Sequence, residues 1–105
     1  HSSHSYINGT NLYFVYNYEI NCAPQDELKV YHHPIHKIII EETLKQNGSM
    51  CHHHGIGKYR TQWTKDEHGS AYYMLKKLKE AFDPNEIMNY GSIYPQADRI
   101  EEYIE

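Results

Sequence analysis

The chain has 105 residues and carries 10 basic against 14 acidic side chains, a net charge of −4 with neutral histidines. This length fits one small domain, or part of a larger one, and such a domain buries only a limited share of its surface. The acidic balance argues against nucleic-acid partners, because a phosphate backbone requires a basic face. No apolar run reaches the ~20 residues that a membrane-spanning helix needs. We therefore expect a soluble, cytoplasmic protein.

Two cysteines, Cys22 and Cys51, are too few for a disulfide framework, and their spacing is not that of a paired metal knuckle. We expect both to be free thiols in a reducing compartment. The sequence opens on His1 rather than on Met, and we expect this start to be an expression or proteolytic boundary.

The first predicted element is a strand over residues 11–20, because this segment is rich in aromatic and β-branched residues. Gly9 indicates a turn leading into it. Alternation along the strand puts Leu12 and Phe14 on one face and Tyr13 on the opposite, less apolar face. Tyr13 could there point at a ligand, or simply pack on the surface of the sheet.

A helix is predicted to begin at Pro34 and to stop at Asn47-Gly48, since proline suits the first helical turn and glycine the end. Whether the helix reaches back to Gln25 stays open, because Pro34 would then be a kink. A short strand near residues 49–52 and a turn at residues 55–57 should follow. The apolar stripe of the helix consists of Ile35, Ile38, Ile39 and Leu44.

Two further helices are predicted before an acidic tail at residues 96–105. Ser70 is a candidate N-cap for the first, whose apolar positions recur every three or four residues. The second is short, with Asp83 as its cap, Pro84 in its first position and Glu86 completing a capping box. The apolar positions of the first helix are Tyr72, Leu75, Leu78 and Phe82.

This order of elements predicts an α+β fold with too few strands to close a sheet. One or two strands beside a few helices leave an edge and a face exposed, and these should meet a partner. We therefore expect the chain to be a fragment of a larger structure.

The residues that could carry chemistry concentrate in residues 48–60, where His52, His53 and His54 precede Gly-Ile-Gly. The triplet could be an expression tag, a surface cluster without a role, or a metal site. On a strand His52 and His54 would share one face while His53 could not, and two ligands do not complete a zinc site. No metal is therefore predicted.

A cluster for proton transfer and anion binding is the remaining interpretation, and we adopt it. Imidazoles titrate near neutrality, so they can move a proton or carry charge beside an anion. Gly55 and Gly57 let the backbone approach a bulky ligand. Lys58 and Arg60 add fixed positive charge for an anionic substrate.

The run NGSMCHHHGIGKYRTQW (residues 47–63) resembles the signature of the alkyldihydroxyacetonephosphate synthases. More broadly, it is similar to the C-terminal domain of FAD-linked oxidases of the vanillyl-alcohol oxidase type. Residues 3–6 and 9–14 are similar to an upstream Ser-His and aromatic strand segment of the synthases. FDPNEIMN (residues 82–89) resembles the closing motif of the family. The resemblance spans residues 2–95, with the motifs in the family's order.

The resemblance implies a role for each matching residue. Tyr13 would act as acid or base on the substrate, and His52, His53 and His54 would line the site near the flavin and a phosphate-bearing substrate. Gly55 and Gly57 would contact the cofactor together with His54, while Lys58 and Arg60 would bind the substrate phosphate.

Asn89 matches the closing asparagine that approaches the flavin in the broader family. The chain departs from the usual pattern just after it, with Tyr90 in place of a proline and Ser92 in place of a lysine. These departures weaken the transfer of a flavin-contacting role to Asn89.

The resemblance also implies a fold and partners. Residues 1–95 would belong to a ferredoxin-like cap domain of antiparallel strands with flanking helices. FAD would be held mainly by an N-terminal domain of the same protein, so we expect the isolated chain neither to bind FAD tightly nor to turn over. Self-association stays open.

The implied reaction exchanges the acyl chain of acyl-dihydroxyacetone phosphate for a fatty alcohol in ether-lipid synthesis, with FAD serving as a template rather than for net oxidation. The lipid substrate could bring the enzyme to a membrane surface. Two alternatives are kept. The first is the cap of an FAD-linked 2-hydroxy-acid dehydrogenase of the glycolate or D-lactate type. The second is a non-enzymatic, histidine-rich metal-binding module.

Overall fold

A computed structural model describes residues 1–94, and the predicted acidic tail at residues 96–105 lies outside them. The chain divides into two compact units, the first over residues 1–37 and the second beginning at residue 38. Antiparallel strands together with helices confirm the predicted α+β class. The strands are β1 (Ser5–Tyr6) and β2 (Gly9–Thr10), and the α-helices are α1 (His33–Lys45), α2 (Thr64–His68) and α3 (Ala71–Phe82).

The first unit opens with a β-hairpin. Strands β1 and β2 pair antiparallel, with Ser5 opposite Thr10 and Tyr6 opposite Gly9. A two-residue turn joins them, as expected for a tight hairpin. Asn11 closes the open end, because its side-chain oxygen accepts hydrogen bonds from the backbone N–H groups of residues 3 and 4.

The predicted strand over residues 11–20 is wrong, because the structure assigns no strand there. The aromatic pattern is present, but no other segment of residues 1–94 forms a hydrogen-bonded ladder with it. A strand needs such a neighbour to satisfy its backbone. Leu12 and Phe14 are consequently exposed rather than packed on a sheet face.

Helix α1 confirms both predicted boundaries. Pro34 lies in its first turn, and Asn47 ends it in a left-handed conformation with φ of 59°. The Gly48 N–H donates to the carbonyl of Thr43 at 2.9 Å and closes the helix. One stripe position is wrong, since Ile38 is 62% exposed and Ile40 is the buried residue of the helix, at 3%.

The segment before α1 is helical in other forms. A 3-10 helix covers Pro24–Asp26 and a π-helix covers Leu28–His32. Pro34 has no N–H to extend an α-helical ladder backwards. The His33 N–H instead donates to the carbonyl of Leu28, five residues earlier. The helical path therefore reaches back towards Gln25 as short 3-10 and π turns.

The buried centre of the second unit lies between the predicted turn at residues 55–57 and the helix predicted after Ser70, where the sequence analysis placed no element. A 3-10 helix over Thr61–Trp63 runs directly into α2, and Thr61, Trp63 and Thr64 are buried. Trp63 is the one large apolar side chain of that run. Hydrophobic periodicity could not reveal this element, because two of its three buried side chains are threonines.

Helix α3 follows the predicted spacing, but its surroundings differ from the prediction. Ser70 precedes the helix without making a side-chain capping hydrogen bond, so its predicted capping role is wrong. Tyr72 and Leu75 are half-buried. Leu78 and Phe82 are exposed, because no element of residues 1–94 covers that end of the stripe.

The predicted short helix from Asp83 does not form. The Glu86 N–H bonds to the Asp83 carbonyl, and the carboxylate of Asp83 accepts the N–H groups of Ile87 and Met88, each at 3.0 Å. Glu86 has a φ of 51°, which is left-handed and stops a helix at once. Asp83 is therefore the cap of a turn.

Candidate functional site

Tyr13 lies in the first unit and is half-buried. Its ring stacks on that of His1, with centroids 4.7 Å apart and planes within 5°. The Tyr13 N–H donates to the His1 carbonyl at 2.7 Å. The strand that was predicted to orient the phenol is absent, so its orientation comes from this local packing.

The three histidines lie side by side on a loop of the second unit, here termed the histidine–glycine loop (residues 51–58). The ring centroids of His52 and His53 are 4.1 Å apart, and those of His53 and His54 are 4.0 Å apart. All three side chains are exposed. The predicted strand near residues 49–52 is wrong, and without its alternation the three rings form one contiguous row.

The contact between the first two imidazoles has a chemical consequence. The Nδ1 atoms of His52 and His53 are 3.1 Å apart. In such a contact one nitrogen donates and the other accepts, so only one of the two Nδ1 atoms carries the proton. The two rings are therefore within hydrogen-bonding distance of each other.

The segment before the histidines is fixed by a carboxylate of helix α2. Glu67 accepts the Ser49 hydroxyl at 2.5 Å and the Met50 N–H at 3.0 Å. Within the loop, the Cys51 thiol donates to the Gly55 carbonyl at 3.3 Å. Sequence reasoning missed Glu67, since an acidic residue well downstream of the triplet carries no local signal.

The glycines of the loop are required by backbone conformation. Gly55 and Gly57 have φ of 81° and 58°, values that residues with a Cβ rarely adopt. A Cβ built on either would have no atom within 4 Å. Open space above both glycines leaves their backbone accessible to a ligand.

The two predicted cations differ in their environment. Lys58 is exposed, whereas Arg60 is half-buried and donates from Nη1 to the Gly55 carbonyl at 3.4 Å. The Arg60 Nε is buried and makes no hydrogen bond within residues 1–94. Arg60 thus braces the loop while bringing positive charge to it.

The loop is tied to a distant stretch, here termed the closing segment (residues 89–94). The Gly57 carbonyl accepts the Thr61 hydroxyl at 2.6 Å and the Ile93 N–H at 3.3 Å. The same hydroxyl lies 3.4 Å from the Gly91 carbonyl, 30 residues away in sequence. The structure thus brings together the two predicted cofactor-contacting stretches. Thr61 was not among the predicted site residues.

Asn89 begins the closing segment with a left-handed φ of 49°, and its carbonyl accepts the Ser92 N–H at 3.0 Å. The segment ends against helix α3, where the rings of Tyr94 and Tyr72 have centroids 5.9 Å apart. Burial raises the pKa of Tyr94. Asn89 is exposed, so its side chain is accessible to a ligand.

An ion pair holds the turn that leads into the closing segment. Lys79 donates to the Asp83 carboxylate and, at 2.6 Å, to the Met88 carbonyl. The hydrogen bond from Lys79 holds the pKa of Asp83 below its ordinary value against the opposing effect of burial. The N–H groups of Met88 and Ile87 act in the same direction as Lys79. Asp83 is therefore kept ionised, which stabilises the approach to Asn89.

These residues fit contact with one face or edge of FAD, but they do not form a complete FAD site. Exposed imidazoles, an exposed asparagine and open glycine backbone can meet a flat ring system from one side. A phosphate-binding helix N-terminus with a glycine-rich turn, the usual means of holding a nucleotide, is not among the features of these loops.

Comparison with known protein families identifies the family of this chain. Residues 1–93 match the family of FAD linked oxidases, C-terminal domain, and the chain belongs to that family. The C-terminal domain of these oxidases pairs with an N-terminal domain that binds FAD, so FAD is the cofactor of the full-length proteins of the family.

Individual relatives carry several activities in their names. The FAD-linked oxidoreductase YgcU of Escherichia coli (strain K12) is 62% identical over 96 residues, which cover 90% of this chain and 20% of that protein. The alkyldihydroxyacetonephosphate synthase of Trypanosoma brucei brucei is 33% identical over 90% of this chain and 15% of that protein. The mitochondrial D-lactate dehydrogenase [cytochrome] of Arabidopsis thaliana is 29% identical over 58% of this chain and 11% of that protein.

The chain therefore spans about a fifth or less of the length of the curated relatives it matches. No solved structure matches it. Among the helices described in residues 1–94, none is long and apolar enough to cross a membrane.

Proposed function

We propose that this chain forms the substrate-side cap of an FAD-dependent enzyme, with the histidine–glycine loop turned towards the flavin ring and the substrate. The observation that carries the proposal is the row of three exposed imidazoles on a loop that is hydrogen-bonded to the segment of Asn89. Residues 1–95 would be this cap and residues 96–105 an acidic tail.

The side chains of the loop suit proton transfer next to an anionic group. Because the Nδ1 atoms of His52 and His53 lie 3.1 Å apart, the pair would take a proton from the substrate, pass it between the two rings and return it. Lys58 and Arg60 supply positive charge for a phosphate or carboxylate. FAD, when bound, would supply the ring that acts as a template in the exchange reaction or as the electron acceptor in an oxidation, which no side chain can replace.

Two roles rest on the resemblance. Tyr13 would serve as an acid or base on the substrate. His54, Gly55, Gly57 and Asn89 would contact the flavin, with the open backbone at both glycines giving room for it. A cytoplasmic location, at a membrane surface where the substrate is a lipid, goes with these roles.

For the substrate, we propose an acyl-dihydroxyacetone phosphate whose acyl chain is exchanged for a fatty alcohol. The complete triplet of His52, His53 and His54 supports this choice, because the resembling synthases carry all three. The comparison with relatives also supports this choice, because the trypanosomal synthase matches 90% of this chain and the plant D-lactate dehydrogenase matches 58%. Oxidation of a 2-hydroxy acid is the second candidate, because the chain is also similar to a D-lactate dehydrogenase.

The test uses the complete product of the gene that encodes this chain. After purification, its visible spectrum and the flavin released on denaturation are measured, alongside the same measurements on the 105-residue chain mixed with FAD. We expect about one FAD per gene product and no stoichiometric retention by the isolated chain. A gene product without flavin, or tight FAD binding by the chain alone, would contradict the proposal.

The substrate is then decided by two assays on the flavin-containing protein. Release of fatty acid from acyl-dihydroxyacetone phosphate in the presence of a fatty alcohol supports the exchange reaction. Reduction of the flavin by D-lactate or glycolate under anaerobic conditions supports the second candidate and contradicts the first. Activity in neither assay would reject both substrates.

A further inference from the structure

We propose that Thr61 is a positioning residue, whose single hydroxyl fixes the histidine–glycine loop relative to the closing segment. This inference rests on the proposed function of those two stretches. Thr61 itself touches neither substrate nor cofactor in this scheme, because its side chain is completely buried, at 0% exposure.

The geometry centres on one carbonyl group. The Gly57 carbonyl accepts the Thr61 hydroxyl at 2.6 Å and the Ile93 N–H at 3.3 Å, so two donors from different segments meet on one oxygen. The Gly91 carbonyl lies 3.4 Å from the same hydroxyl. The Thr61 hydroxyl therefore lies within hydrogen-bonding distance of a carbonyl in each of the two stretches.

The hydroxyl is the part of Thr61 that matters for this arrangement. A threonine hydroxyl has one proton, and the 2.6 Å contact places it on the Gly57 carbonyl, with Gly91 as a longer, secondary acceptor. Valine has the same shape without a donor. Replacing Thr61 by valine would remove the nearer of the two donors to the Gly57 carbonyl and leave only the Ile93 N–H at 3.3 Å.

The closing segment needs such fixation because its backbone is strained at Ile93. Gly57 and Gly91 have φ of 58° and 73°, which glycine adopts readily, whereas Ile93 has a φ of 69° although its side chain is β-branched. A β-branched residue in this region is an outlier that persists only when its surroundings hold it there. The bond from the Ile93 N–H to the Gly57 carbonyl contributes to that hold, and the Thr61 hydroxyl fixes the same carbonyl.

The position of the bonds links them to the proposed site. Gly57 follows His54 by three residues, and Gly91 follows Asn89 by two. Loss of the hydroxyl would let both stretches relax away from their relative placement. Misplacement of reacting groups by about 1 Å can cost on the order of a hundredfold in rate.

The helix that begins just after Trp63 offers a matched control. Thr64 is also completely buried, but its hydroxyl makes no hydrogen bond within residues 1–94. Thr64→Val therefore removes the same atom from a similar burial without removing a bond. Thr61→Ser keeps the hydroxyl and removes only the methyl group.

The experiment compares Thr61→Val, Thr61→Ser and Thr64→Val in the flavin-containing gene product. Amide hydrogen exchange is measured over residues 54–58 and 89–94 and over helix α3, together with the flavin visible spectrum, kcat and KM. For Thr61→Val we expect exchange in the two stretches to rise at least about tenfold with α3 unchanged, a shifted flavin spectrum, and kcat about ten- to a hundredfold lower. Thr61→Ser and Thr64→Val should stay within about threefold of the parent.

Two results would overturn the inference. One is a Thr61→Val protein whose exchange rises equally in α3 and whose flavin spectrum and kcat are unchanged, as a merely structural role predicts. The other is a Thr64→Val protein with the same effects as Thr61→Val. If Thr61→Val does not fold, Thr61→Cys, which keeps a weak donor, is judged by the same criteria. A gene product that lacks FAD contradicts the proposed function instead, and the exchange data still decide whether Thr61 fixes the two stretches.

Discussion

Replacing Gly57 by alanine tests the conformation of the histidine–glycine loop with the smallest change available. The φ of Gly57 is 58°, and an added Cβ meets no atom within 4 Å. Steric crowding by neighbours therefore contributes nothing, and the whole cost is the left-handed backbone of a residue with a Cβ. That cost is about 1–2 kcal/mol, a five- to thirtyfold fall in the ratio of folded to unfolded chains.

Gly57→Asn is the matched control for this reasoning. Asparagine is larger than alanine, but it tolerates the left-handed region better. If backbone conformation sets the cost, Gly57→Asn is less destabilising than Gly57→Ala. If crowding sets it, the order is reversed because asparagine has more atoms to place.

The assay is urea unfolding of the 105-residue chain, monitored by the fluorescence of Trp63. Trp63 is the single tryptophan of the chain and is buried in the second unit. The free energy of unfolding is extrapolated to water for the parent and both variants, with m-values compared to check that the transition is the same. A Gly57→Ala protein as stable as the parent, or one more stable than Gly57→Asn, would refute the account of the loop.

Three further outcomes are expected. Glu67→Gln cannot accept both hydrogen bonds at full strength, so it should lower the free energy of unfolding by about 1–3 kcal/mol. The neighbouring Asp66→Asn should change this free energy little. Equal effects of the two variants would contradict the role of Glu67 in fixing the segment before the histidines. Because the folded pKa of Asp83 is lowered, its contribution is present above the ordinary aspartate pKa of about 3.9 and is lost as the pH falls through the folded pKa. Asp83→Asn should therefore flatten the acid side of a stability–pH curve measured by Trp63 fluorescence, and an unchanged acid side would count against it. Lys58→Gln in the flavin-containing gene product should raise KM for an anionic substrate with kcat nearly unchanged, and an unaltered KM would remove Lys58 from the anion site.

Local signals located α1 and α3, but they missed α2 and predicted a helix after Asp83 that does not form. Pro34 and Asn47-Gly48 marked both ends of α1, because a missing N–H and a left-handed residue act on the backbone wherever they occur. The spacing of apolar residues located α3. Burial within those helices was harder to predict, and Ile38 and Phe82 are exposed despite lying in apolar stripes.

The wrong predictions concern segments whose structure depends on contacts with another part of the chain. The aromatic alternation of residues 11–20 predicted a strand, but a strand also needs a second one beside it, which residues 1–94 do not provide. Asp83 was predicted to be the N-cap of a helix, but its carboxylate accepts the N–H groups of Ile87 and Met88 in a turn. The chain beyond Asp83 forms a turn instead of a helix because Glu86 is left-handed, a conformation that no composition rule predicts.

In the candidate site, too, local patterns could be predicted and contacts between distant residues could not. The histidine–glycine loop could be recognised from its rare composition and from the family resemblance, and the family itself is confirmed. Glu67 and Thr61, which hold that loop, could not be recognised. Their contacts join residues from different elements, and neither lies in a pattern that one sequence reveals.

If the histidine–glycine loop lies against the flavin in the complete protein, a change in its histidines alters the visible absorption spectrum of the bound FAD. His54→Gln is compared with the parent gene product at equal FAD content, with the exposed His68→Gln of helix α2 as the control. We expect shifted flavin bands for His54→Gln and an unchanged spectrum for His68→Gln. Identical spectra for all three proteins would contradict it.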